Sequence, residues 1–279
     1  MKMWAAIFGG LAALFAGWGG YKLIKAASWK PKGKGVFFRG LKTYGTPAET
    51  VAKLKAQGAT WVLLIGDSWH KNMVSTYYPS LIGEYAKALR DAGIDVWLWG
   101  WVDPESPHFE EWPAHYGRVA KQTGAKGVLV NAEKPFYGKK WNAAAEWLVD
   151  ALHAQGLKVI VSSYGSVKSH PNFAWEGFRK ADGGAPMIYD LSNKLGTKYP
   201  PRSVAEWSEL FDVVIPVWGM ASSGGQTIEQ EIALSEATPL PSDAVAVWDA
   251  YWLKTKKDRG AWYASFDTKA KAKEGAALV

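Results

Sequence analysis

The sequence predicts an α/β fold, a (β/α)8 TIM barrel preceded by an N-terminal hydrophobic helix. Three observations carry this reading. From Gly35 onward, eight short apolar runs alternate with amphipathic stretches, and strand–helix alternation at that count is the mark of a barrel. The first run ends in Arg39-Gly40-Leu41-Lys42. It lacks the G-x-G-x-x-G turn that a doubly wound open sheet would show there. The length, 279 residues, suits one such barrel with short extensions.

The elements follow in order. Residues 3–24 carry no charge until Lys22, and about 20 apolar residues suffice to span a bilayer. Trp4, Trp18 and Tyr21 stand where interfacial anchors belong. The expected layout is a hydrophobic membrane anchor or signal-like helix over 1–25, a basic linker over 26–34, the barrel over 35–266 and a flexible tail over 267–279. An uncleaved anchor is the preferred reading. A cleaved signal peptide has its charged start in Lys2 but no small-x-small site directly after the apolar run. A buried arm in a larger assembly is the third. More lysines follow the segment than precede it, which by the positive-inside rule leaves the body cytoplasmic.

Strands are expected at 36–39, 61–65, 96–101, 127–131, 159–163, 187–190, 213–217 and 244–248. The first helix opens with Thr46-Pro47-Ala48-Glu49, an N-cap, a proline at the first helical position and an acid in the first turn. Ala48, Val51 and Leu54 then share a face until Gly58. Further helices are expected over 81–92, stopped by Gly93, and over 112–123, 141–155, 203–211 and 227–237, with a shorter one over 172–181.

Composition narrows the chemistry. Hydrophobic residues make up 48%, which excludes global disorder. There are no cysteines, so disulfides, zinc–thiolate sites and iron–sulfur clusters are excluded. A net charge of +7 suits an anionic wall polymer, a membrane surface or nucleic acid. No basic helix or RNA-binding aromatic signature supports the last, so no nucleic-acid partner is expected. The histidines His70, His108, His115, His153 and His170 are scattered, with no H-x-H or H-E-x-x-H, and no metal or other cofactor is expected. There is no G-x-S-x-G elbow and no P-loop, and Ser163 has no matched histidine.

A barrel carries its chemistry at the carboxyl ends of its strands. Those ends offer Arg39, Asp67, Trp69, Trp101, Asp103, Asn131, Glu133, Ser163, Tyr164, Tyr189, Asp190, Trp218, Trp248, Asp249, Tyr251 and Trp252. They are mostly carboxylates and flat rings, and the chain as a whole holds 17 Trp and 12 Tyr. Indoles stack on the C–H faces of sugars, while a carboxyl protonates a glycosidic oxygen. The run Gly127-Val128-Leu129-Val130-Asn131-Ala132-Glu133 ends at Pro135. Residues two apart share a side of a strand, so Asn131 and Glu133 can face one ligand. Burial among rings such as Tyr189 and Trp248 would keep Glu133 protonated near neutral pH. The bland alternative pairs Glu133 with Lys134, Lys139 or Lys140. Trp61, Trp97 and Trp147 read as core or helix packing.

Three of these ends together resemble the chitinase-like glycoside hydrolases of family 18. Val130-Asn131-Ala132-Glu133 resembles the motif closing on their catalytic glutamate, Met187-Ile188-Tyr189-Asp190 matches M-x-Y-D, and Trp248 of Val245-Ala246-Val247-Trp248 fits the tryptophan that floors the sugar pocket. The family has Asp where this chain has Asn131. An Asn-x-Glu pair is similar to that of the family 85 endo-β-N-acetylglucosaminidases, and the place is similar to the D-x-E of the family 25 lysozymes. The resemblance implies a retaining hydrolase of N-acetylated amino-sugar polymer, most readily peptidoglycan, working by substrate assistance or, if Asp190 or Asp249 lies about 5–5.5 Å from Glu133, through a covalent nucleophile. Its implied catalytic residues are Glu133, Asn131 and Asp190, with Tyr189 and Trp248 binding substrate; from the strand-end reading, Tyr164, Trp218, Trp101, Asp249 and Arg39 are further expected substrate-binding residues. A membrane-anchored, cell-envelope or virion-associated protein is expected, of bacterial or phage origin. Two rivals stand beside it: an inactive sugar-binding or structural barrel, and a lyase that holds an anionic substrate with Arg39.

Overall fold

The computed structural model describes residues 29–66, 80–189, 196–219, 227–269 and 271–272. The chain divides between Lys30 and Pro31, and the second unit is a closed barrel of eight parallel strands in sequence order. The strands are β1 (Gly33–Phe38), β2 (Ala59–Ile65), β3 (Asp95–Trp101), β4 (Gly127–Asn131), β5 (Lys158–Tyr164), β6 (Gly183–Ile188), β7 (Val217–Gly219) and β8 (Ala244–Trp248). The main helices are α1 (Pro47–Ala56), α2 (Ile82–Asp91), α3 (Trp112–Thr123), α4 (Asn142–Ala154), α5 (Trp175–Phe178), α6 (Tyr199–Ser208), α7 (Ile228–Glu236), α8 (Ala250–Thr255) and α9 (Lys257–Ser265). The fold is therefore the expected (β/α)8 barrel. The apolar segment 3–24 lies outside the described residues, and no helix among those described is long and apolar enough to cross a membrane.

Local signals act as the sequence implies. Thr46 caps α1 in a reciprocal box. Its hydroxyl accepts from the Glu49 amide at 3.3 Å, and its own amide donates to the Glu49 carboxylate at 2.7 Å. Gly58 and Gly93 end their helices in the left-handed region, φ 67° and 78°, where a side chain would be strained.

Strand alternation sorts the core into two layers. Outward residues such as Val36, Val62, Val128, Val161 and Val247 pack beneath the helices. The interior is filled by Phe37, Trp61, Trp97 and Trp99, each at most 2% exposed. Rings this large fit because glycine faces them: a Cβ on Gly35 would strike the Trp61 indole, and one on Gly127 would meet Trp97 at 2.6 Å. Trp147, by contrast, lies on α4 against Phe109 at 5.2 Å between ring centroids and is half-exposed.

β6 and β7 differ most from the expected ranges; β1 also starts three residues early, at Gly33, and ends at Phe38. β6 begins at Gly183, although Gly183-Gly184-Ala185-Pro186 reads locally as a turn. Gly184 earns its place because Trp207 and Phe211 press against the spot a Cβ would occupy. β7 is a short segment beginning at Val217, with Gly184 and Val214 forming only an isolated bridge before it. Pro216 has no N–H to give the ladder, so regular pairing starts one residue later. Val214 and Trp218, four residues apart, both pack on the outer side, so alternation runs unbroken through Pro216 and turns Trp218 outward.

Candidate active site at the barrel mouth

The carboxyl end of β4 builds the centre of the mouth. Asn131 lies in register with Trp101 on β3 and Ser162 on β5, so alternation turns all three to the interior. The Asn131 amide nitrogen donates to Glu133 Oε1 at 3.0 Å. Asn131 is 5% exposed, and its Oδ1 is buried without a partner. Glu133 is only partly exposed. Burial pushes its carboxyl pKa up, and the hydrogen bond from Asn131 opposes this less strongly. No described lysine pairs with Glu133; Lys140 instead lies 4.6 Å above the Trp141 ring.

The opposite rim comes from β8 and β1. Asp249 follows the last residue of β8 and is fully buried as a side chain. It accepts from the Arg39 guanidinium Nε, which reaches it from the end of β1. The amides of Tyr251 and Trp252 help hold the Asp249 pKa down, although Oδ1 has no partner in hydrogen-bond geometry. Burial outweighs Arg39 and these amides, so the net direction is upward. Trp248 rests edge-on against Trp99 and Phe37, with centroids 5.0 and 5.2 Å away. The Arg39 guanidinium carbon sits 5.7 Å over the Trp248 ring.

Tyr189, one residue beyond β6, connects the rims. Burial raises its phenol pKa well above the ordinary value, and the charges of Glu133 and Asp249 both add to the effect. Gly219 is the inward residue of β7 here; a Cβ on it would meet the Tyr189 ring at 2.7 Å. Tyr164, at the end of β5, feels Glu133 in the same sense after burial. It stacks face to face on His170, 4.0 Å between centroids and 4° between planes. Tyr137 stands edge-on to both, at 6.4 and 6.3 Å.

Packing from behind fixes this wall. Ser203 donates to the Gly165 carbonyl at 2.5 Å, and the Trp207 indole donates to the Tyr164 carbonyl at 3.2 Å, both from α6. The buried Glu206 carboxylate accepts from the Ser166 hydroxyl and the Lys168 amide, each at 3.0 Å. The loop after β5 is thus tied to α6 by satisfied polar groups.

The structure therefore brings Arg39, Trp101, Asn131, Glu133, Tyr164, Tyr189, Trp248 and Asp249 to one mouth. Trp218 is a correction. It is 3% exposed and packs on Trp262 and Phe266, 5.4 and 4.9 Å away, on the outer side of the sheet. The strand begins inward at Val217, paired with Met187 and Ala246, so Trp218 must point outward and Gly219 takes the inward place. Asp190, Asp67 and Trp69 lie outside the described residues. Tyr137 and His170 were not anticipated. Tyr137 follows Glu133 closely enough to be considered, but nothing local marks His170. Of the other histidines, His115 is buried against the Gly66 carbonyl at 2.6 Å, and His153 bonds Asp182 at 2.8 Å. Among the described residues, no group of three or more His, Asp or Glu could hold a metal ion.

No protein-family profile matches the chain, and no curated protein sequence matches it. Solved structures do. The spore cortex-lytic enzyme SleL of Bacillus megaterium aligns at a TM-score of 0.54 and 10% identity over 82% of this chain and 74% of its own. The family 18 chitinase ChiB of Flavobacterium johnsoniae gives 0.55 and 11% over 80% and 89%. A chitinase-like lectin of tamarind gives 0.52 and 12% over 82% and 98%. The barrel is chitinase-like in fold.

Proposed function

We propose that the protein is a glycoside hydrolase of N-acetylated amino-sugar polymer, with Glu133 as general acid and peptidoglycan as the preferred substrate. The observation that carries this is the state of Glu133: partly buried at the mouth, bonded by Asn131, free of any described lysine, and shifted toward its protonated form. The Asn131 amide occupies Oε1, which leaves Oε2 to carry the proton toward a glycosidic oxygen. Asn131 Oδ1, buried and unpartnered, is placed to accept the N–H of a 2-acetamido group. That bond would turn the acetamido carbonyl toward the anomeric carbon. With Tyr189 and Asp190 assisting, the substrate itself would then supply the nucleophile, one of the recognised exceptions to the two-carboxylate scheme. Asp249 is a poor covalent nucleophile because it is fully buried and engaged by Arg39. Trp248, Trp101 and Tyr164 would give sugar faces their rings. SleL, by its description a spore cortex-lytic enzyme, and the chitinases among the similar folds support the polymer class. We place the protein at a cell envelope or in a virion, tethered through residues 1–25.

A second reading has its own support. Asn131 replaces the aspartate of the chitinase pattern, and a lectin shares the fold, which suits a barrel that binds sugar without cleaving it. Purified cell walls, both intact and stripped of peptide by an amidase, separate the two. Wild-type protein is expected to lower wall turbidity and release reducing ends. Glu133→Gln should reduce that rate by about 10²–10⁴-fold, the usual worth of a general acid, while keeping sugar binding. Activity should also decline as pH rises through the elevated Glu133 pKa, because only the protonated acid donates. Binding by the wild type without any cleavage would favour the lectin-like reading.

A further inference from the structure

Arg39 is built for more than neutralising Asp249. The bond to Asp249 uses Nε alone. The two terminal nitrogens of the guanidinium have no partner among the described residues, and the side chain is 42% exposed. The group is held over the Trp248 ring, the surface on which a sugar would lie. A carboxylate matches the remaining donors in the fork geometry that arginine favours. The position is fixed from two sides, by a fully buried carboxylate behind and by an indole on Phe37 and Trp99 beneath. Little side-chain freedom is left to lose on binding.

From this geometry we infer that Arg39 selects acidic amino-sugar polymers, reading a carboxylate on the sugar that covers Trp248. The inference rests on the reading that the mouth takes an acetamido sugar, and it narrows the substrate class. Neutral chitin-type chains offer nothing to the fork. Two polymer types do: glycan strands freed of peptide, whose lactyl ethers end in a carboxylate, and chains alternating acetamido sugars with uronic acids. If the lactyl group is the target, an amide-cleaving step that removes peptide must precede this enzyme, since an amidated lactyl group carries no charge.

The test is binding, read by tryptophan fluorescence, so it does not need turnover. Three probes are titrated: peptide-free oligomers of alternating N-acetylglucosamine and N-acetylmuramic acid, hyaluronan oligomers, and N-acetylated chitin oligomers of equal length. The wild type should bind one acidic probe at least tenfold more tightly than the neutral one, and which acidic probe wins identifies the carboxylate's source. In Arg39→Met that ratio should fall at least tenfold. Arg39→Lys keeps a charge for Asp249 but lacks the fork, and its ratio should fall by a smaller factor. The Nε–H resonance of Arg39 in the wild type should shift with the acidic probe and not with the neutral one. An unchanged ratio in both variants, or a resonance that responds equally to both probes, overturns the inference. Failure of the hydrolase reading looks different: all polymers stay uncut while the binding ratios survive.

Discussion

At the amino-terminal end of the barrel, Lys34 is buried, and its ammonium donates to the carbonyls of Tyr263 at 2.6 Å and Ala264 at 3.0 Å. Those carbonyls belong to the last turn of α9, where helical C=O groups lack partners and favour a cation. At the carboxyl-terminal end, Asn131 and Asp249 are equally buried, yet each keeps an oxygen with no partner. One end uses a buried polar group to close the fold. The other leaves two buried oxygens unpaired beside the open mouth, a cost that bonds to a ligand would offset. Two tryptophans differ in exposure. Trp218 is sealed between the sheet and α9, while Trp248 is partly open above the interior rings.

The sharpest way to break this contrast is through the tryptophans. Trp218→Ala should cost about 3 kcal/mol of stability, the usual loss for a buried large ring, and leave affinity for acetylated sugar oligomers near the wild-type value. Trp248→Ala should do the reverse, weakening fluorescence-detected or calorimetric binding strongly with a smaller stability loss. Matching losses in both measurements would erase the distinction.

The ion pair at the mouth gives the next effect, read from urea midpoints. Arg39→Ala strands a fully buried carboxylate and should cost about 3 kcal/mol. Asp249→Asn strands a guanidinium that water already reaches, and should cost about 1 kcal/mol. Equal costs would mean that burial of Asp249 does not govern the pair.

The smallest effect belongs to the closed end. Lys34→Met removes two helix-capping bonds but also relieves the burial of a charge, so the net loss should be about 1 kcal/mol. Its signature is in the pH dependence. Burial lowers the Lys34 pKa from 10.5 to about 8, against a smaller opposing pull from Asp267. Between about pH 8 and the unfolded value, the unfolded chain holds more protons than the folded one. Wild-type stability should therefore gain a contribution as pH rises from 8 toward 10, and below 8 this contribution should be flat. Melting temperatures of Lys34→Met should lack that rise. A rise of equal size in the variant would assign it to another group.

Much of the mouth was legible because its residues follow strands whose local pattern is strong. β4 is a continuous apolar run, so the inward sense of Asn131 and the exit of Glu133 follow from alternation and from Pro135. Trp248 and Asp249 follow β8 for the same reason. Trp218 was misread because its strand has little pattern of its own. Val213–Val217 is apolar throughout, and only the pairing with β6 and β8 settles which of its residues face inward. His170 was invisible because its place at the wall depends on a loop tied to α6 by Glu206 and Ser203, far away in sequence.

Local preferences along the chain account for the strand–helix alternation, the capped start of α1, the glycine stops and the carboxylate at the end of β4. These depend on steric and hydrogen-bonding preferences that act over a few residues. Tertiary structure alone decided the outward turn of Trp218, the Tyr164–His170 stack and the Arg39–Asp249 pair, whose members lie 210 positions apart. Closing the barrel sets β1 beside β8, and no local preference in either strand contains that neighbour.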